Sequence, residues 1–93
     1  MPKSFAEYLL ARNYCIGNND DFEPGWIYNY KGYIIGSDVP NHGANTIEIL
    51  HDEEWYTLIA DEFIEDWDYT IESVKHEAEY IIDKYEKYCA KTA

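Results

Sequence analysis

Ninety-three residues set the scale of one domain, near the size at which a single core suffices without disulfide or metal staples. Nineteen Asp and Glu against seven Lys and Arg leave a formal charge of −12, which disfavours direct contact with nucleic acid or an anionic membrane leaflet and points to basic partners. A 46% apolar and 17% aromatic composition sets the chain apart from acidic disordered tails, so one compact domain over residues 1–93 is expected.

Ser4-Phe5-Ala6-Glu7 fits the capping box that opens a helix, with Phe5 as its first residue. Phe5, Tyr8, Leu9 and Arg12 share one face at helical spacing, Leu10 and Ala11 widen it, and the Gly-Asn-Asn-Asp-Asp run at 17–21 ends it. Asp20, Asp21 and Glu23 fall in a loop before Pro24-Gly25. Residues 26–30, Trp-Ile-Tyr-Asn-Tyr, and residues 33–35 read as a β-hairpin about Lys31-Gly32, where Gly32 supplies the positive φ of a tight turn. Trp26, Tyr28 and Tyr30 then project to one face, Ile27 and Asn29 to the other. Residues 36–45 hold two Gly, two Asn and Pro40, and read as a loop.

Residues 46–50 alternate with Ile47 and Ile49 inward, residues 51–54 turn, and residues 55–59 return as a fourth antiparallel strand. Phe63, Ile64 and Trp67 leave residues 60–68 open between one helical turn and an irregular acidic connection. Ile71, Val74, Ala78, Ile81, Tyr85 and Tyr88 then recur at three- and four-residue steps behind a Thr70 N-cap, which predicts an amphipathic helix to about Cys89. Glu72 near its start and Lys84, Lys87 and Lys91 near its end complement the helix dipole, a structural use of charge. The fold expected is α+β: a short N-terminal helix, a four-stranded antiparallel sheet and a long C-terminal helix, with the helices on one sheet face.

Chemistry is weakly signalled. No nucleophile elbow, phosphate loop or zinc-protease motif is present, so neither an enzyme nor a cofactor is expected. His51-Asp52-Glu53-Glu54 holds metal-ligating residue types, but consecutive turn residues point in different directions and do not converge on an ion. His42, in a Gly/Asn loop, and His76, between Lys75 and Glu77, read as solvent histidines. The N-terminal residues lack the apolar run of a secretory signal, and no stretch approaches the roughly 18 apolar residues of a membrane span, which together suggest the cytoplasm. Cys15 and Cys89, without CxxC spacing, read as free thiols filling the core.

The acidic stretch is the strongest functional signal. Residues 32–74 contain eleven Asp and Glu and no Lys or Arg, and eight of those acids lie within 52–68. A solvated face is the ordinary explanation of such a run, but uncompensated charge also suits a cationic partner. The candidate contact residues are Asp52, Glu53, Glu54, Asp61, Glu62, Glu65, Asp66 and Asp68, with Tyr56 and Tyr69 as exposed rings among them and Phe63, Ile64 and Trp67 tethering the backbone. Carboxylates held in place can compete with phosphates for the same Lys and Arg. In the alternative, an adaptor uses exposed aromatics or a sheet edge, a homodimer included, while the acids serve solubility.

The size, the pI of about 4.3, the hairpin at 26–35 with its Tyr-Lys-Gly-Tyr turn and the T-I-E-S-V-K-H-E-A-E-Y-I-I-D helix together resemble small acidic phage and mobile-element proteins of the anti-CRISPR or anti-restriction kind. That resemblance implies an inhibitor acting in a host cytoplasm. It would occupy the basic nucleic-acid-binding groove of a CRISPR effector or restriction enzyme and block nucleic-acid binding by mimicry.

Overall fold

A computed structural model describes residues 4–14, 16–17, 24–39, 41 and 44–92, so Cys15, Asp20, Asp21, Glu23 and His42 lie outside the described residues. Helix α1 (Phe5–Ala11) starts where Ser4 Oγ accepts the Glu7 N–H at 3.2 Å, the forward half of the capping box. Phe5, Tyr8 and Leu9 are buried, whereas Leu10 and Ala11 face solvent, so the apolar face is narrower than the sequence suggests. Arg12 caps the helix and lays its guanidinium over the Tyr8 ring at 4.9 Å. The helix ends well before Gly17, because Asn13 adopts a left-handed φ of 65° that a continuing helix does not tolerate. Gly17 instead belongs to strand β1 (Ile16–Gly17).

The four expected strands form the body of the sheet: β2 (Trp26–Tyr30), β3 (Tyr33–Ser37), β4 (Thr46–His51) and β5 (Glu54–Ile59). The two-residue β1 adds a fifth, pairing Ile16 with Leu58 and Gly17 with Thr57, and the antiparallel order is β1-β5-β4-β3-β2. Lys31 and Gly32 take φ of 54° and 88° between β2 and β3, the two-residue turn whose twist matches flanking strands. Asp52 and Glu53, at 51° and 68°, make the same kind of turn between β4 and β5 without a glycine. Since Ile34 pairs with Leu50, both turns lie at one end of the sheet.

One sheet face meets the helices. Tyr33, Ile35, Ile47, Ile49 and Leu58 pack beneath Phe5 and Leu9 of α1 and Val74, Ala78, Ile81 and Ile82 of the long helix α3 (Ile71–Thr92). Each fully buried Ile or Leu of this kind contributes about 1.5–3 kcal/mol relative to exposure. Trp26, Tyr28 and Tyr30 line the same face half-buried, as their alternation requires. A polar seam fastens the β2–β3 hairpin to α3: Tyr28 donates to Glu79 at 2.9 Å, Tyr30 to Asp83 at 2.9 Å, and Lys31 pairs with Asp83 at 2.7 Å. Thr70 Oγ1 accepts the Ser73 N–H at 3.1 Å, the expected N-cap, and α3 continues past Cys89 to Thr92.

The ambiguous stretch contains both alternatives in succession. Helix α2 (Ala60–Phe63) is a single turn, tied to the sheet by the Ala60 N–H donating to Asn45 O at 2.6 Å. The irregular connection after it has Asp66 and Tyr69 at φ of 58°.

Candidate functional site: the acidic connection

The eight acids form two patches rather than one ridge, because strand β5 runs between them. Asp52, Glu53 and Glu54 occupy the β4–β5 turn and its exit, about 20 Å along an extended strand from Asp61. The turn shares its end of the sheet with Lys31, whose ion pair with Asp83 places a base nearby. Residues 61–68 sit at the opposite end, between the last residue of β5 and the N-terminus of α3, in a segment without a base.

In that second patch Asp61, Glu62, Glu65 and Asp66 are all exposed. Their backbone is held from beneath. Trp67 is buried at 8% exposure, and Phe63 packs edge-on to Tyr14 with ring centroids 4.8 Å apart. Asp68 is occupied locally: Ser73 Oγ and Thr70 Oγ1 both donate to its carboxylate, and the Ser73 bond, followed by Thr70, holds its pKa below the ordinary carboxylate range. Its first task is therefore to brace the start of α3. Ile64, Asp66, Trp67, Glu72 and His76 line an open pocket of about 290 Å³ between the connection and the first turns of α3. Carboxylates around an indole give such a hollow the character to accept an ammonium or guanidinium.

Of the two rings expected to be exposed, only Tyr69 is, at 40%, set edge-on to Trp67 at 6.1 Å. Tyr56 faces the helices, because inward Leu58 is two residues away on the same strand. Its ring meets Phe5 edge-on at 5.1 Å and its hydroxyl donates to Glu54 at 3.2 Å. It is half-buried and contributes to the core margin rather than to an open surface.

Two residues acquire environments that their sequence positions conceal. His51 stacks on Tyr33 at 4.4 Å, with Phe5 and Tyr85 edge-on at 5.4 and 6.0 Å, so it belongs to an aromatic cluster. Its Nε2 lies 3.4 Å from the Asp52 carboxylate. Among the described residues no group of three His, Cys, Asp or Glu is placed to hold a metal ion. Glu48 points away from the helices yet is only 1% exposed, between Gly36 and Thr57 in the cross-strand register. Burial, with the Asp38 charge adding, raises its carboxyl to about 7 against a bond from Thr46 Oγ1 at 3.2 Å. A carboxyl titrating there suits proton transfer, but one sealed from solvent meets no substrate. Its signal in the sequence is faint: an acid alternating with isoleucines looks like an outward-facing strand residue.

No family model, curated protein or solved structure matches this chain. Among the described residues no helix is long and apolar enough to cross a membrane.

Proposed function

We propose that this chain is a non-enzymatic inhibitor that binds a basic nucleic-acid-binding surface through the acidic connection, in competition with nucleic acid. The observation that carries the proposal is the exposure of Asp61, Glu62, Glu65 and Asp66 on a base-free segment tethered by buried Trp67. Anchoring matters because carboxylates fixed in space lose less freedom on binding than those of a mobile tail. Tyr69 gives the patch an exposed ring to slow dissociation, and the adjoining pocket can receive a Lys or Arg side chain of the partner. The turn acids Asp52, Glu53 and Glu54 are a secondary contact, distant from the connection. The target class follows the resemblance: a host defence nuclease, either a CRISPR effector or a restriction enzyme, acting in the cytoplasm.

The test is binding of candidate nucleases across a salt series, with two charge reversals. Glu62→Lys, Glu65→Lys and Asp66→Lys together should abolish binding, while the triple reversal at 52–54 should weaken it less. Wild-type affinity should fall steeply as salt rises. A salt-insensitive complex, or equal losses from the two reversals, would remove the basis for the proposal.

A further inference from the structure

Strand β2 ends the sheet opposite β1, and no strand among the described residues pairs with its outer margin. Tyr30 and Tyr33 close a two-residue hairpin, so Tyr30, Tyr28 and Trp26 exchange backbone bonds with β3, while the N–H and C=O of Ile27 and Asn29 are directed away from the sheet. An open row of this kind is a template for another strand. Beside it, Ile27 is 57% exposed. The charge here also differs from the rest of the surface. Lys75 sits over the Tyr28 ring at 5.0 Å next to Glu79, which accepts the Tyr28 hydroxyl, and Lys31 pairs with Asp83. Bases and acids thus alternate along the described part of this margin.

We propose that β2 pairs with β2 of a second copy of this chain, antiparallel about a two-fold axis through Tyr28. Ile27 of each copy then exchanges backbone bonds with Asn29 of the other, and the two Tyr28 residues lie side by side on the helix-bearing face. The symmetry brings Lys75 of one copy toward Glu79 of its partner and the reverse, so the margin is complementary to itself. A −12 molecule finds few surfaces on another −12 molecule that do not repel it, and among the described residues this margin, where bases stand beside acids, is one. The acidic connection precedes α3 and supplies none of the residues of this pairing.

Sedimentation velocity of the full chain over a concentration series decides the matter. A shift from 11.0 kDa toward twice that mass is expected, with a dissociation constant of order 10 µM, the weak range of a short edge pairing. The mass is read with no basic target present, so failure of this proposal is distinguishable from failure of the binding proposal. Ile27→Lys and, separately, Lys75→Glu should each raise the dissociation constant about tenfold or more. Lys75→Glu changes an exposed helix position, so it keeps the test sound if Ile27→Lys disturbs folding. A mass fixed at 11.0 kDa at every concentration, or a dimer indifferent to Lys75→Glu, would overturn the proposal.

Discussion

Replacing Glu48 with Gln removes one titration from the centre of the sheet while keeping the shape of the side chain. In the folded protein the Glu48 carboxyl is raised from an ordinary value of 4.5 to about 7, chiefly by burial, and no base pairs with it among the described residues. Between those two values the folded chain holds a proton that the unfolded chain has released, so stability falls as pH rises from about 4.5 and levels off above about 7. The displacement corresponds to about 3 kcal/mol, lost in full at pH 8 and absent at pH 4. For a domain of this length that is a melting shift of about 10–20 °C. Urea or thermal denaturation of wild type and Glu48→Gln across this pH range isolates the contribution, since the other carboxylates are common to both. The variant should be the more stable at pH 8 and should lose most of the wild-type slope between pH 5 and 7. Parallel curves for the two proteins would refute the account of Glu48 as a buried carboxyl without a countercharge.

Asp68 and Asp83, both held below the ordinary carboxylate range by hydrogen bonds from Ser73 and Lys31 respectively, act with the opposite sign and lose their contribution as pH falls below about 4. The wild-type stability maximum should therefore lie at about pH 4 to 4.5, which a pH series of thermal melts checks. Glu53→Gly relieves a left-handed φ of 68° and should stabilise by about 1 kcal/mol in chemical denaturation. Gly36→Ala should destabilise by about 1–3 kcal/mol, since its Cβ would stand 3.0 Å from Ile27 Cγ2 and 3.1 Å from both Pro24 Cβ and the Trp26 carbonyl oxygen. Thr70→Ala removes the α3 cap and should cost about 1 kcal/mol in the same assay.

Periodic elements were legible from the sequence, and positions decided by tertiary contact were not. The alternation of residues 26–30 and the spacing from Ile71 to Tyr88 fix which side chains face the core, and the structure buries Tyr33, Ile35, Ile47, Ile49, Val74, Ala78 and Ile81 accordingly. The end of α1 escaped because it depends on one left-handed asparagine, Asn13, rather than on the downstream glycine. The two-residue β1 is too short for any alternation to register. At the candidate site, chain order places the eight acids together, but an extended strand inserts about 20 Å between two of its neighbours. Tyr56 lies on the helix-bearing face because parity with Leu58 constrains a strand residue more than membership of an acidic stretch does.

The separation of the two acidic patches by strand β5 would bear on how the molecule arrives at the proposed basic partner as well as on how it is held there. Among the described residues, five acids and no base lie on the connection at 61–68, whereas Lys84, Lys87 and Lys91, about 20 Å or more further along α3, offset the acids at 52–54, 83 and 86, so negative charge is concentrated toward the start of the long helix. Near a positive groove the field turns such a body before contact, bringing the connection foremost. Substituting the distant lysines with neutral residues would make the protein more negative while blunting that torque. Encounter rates in such variants then separate attraction by total charge from attraction by orientation.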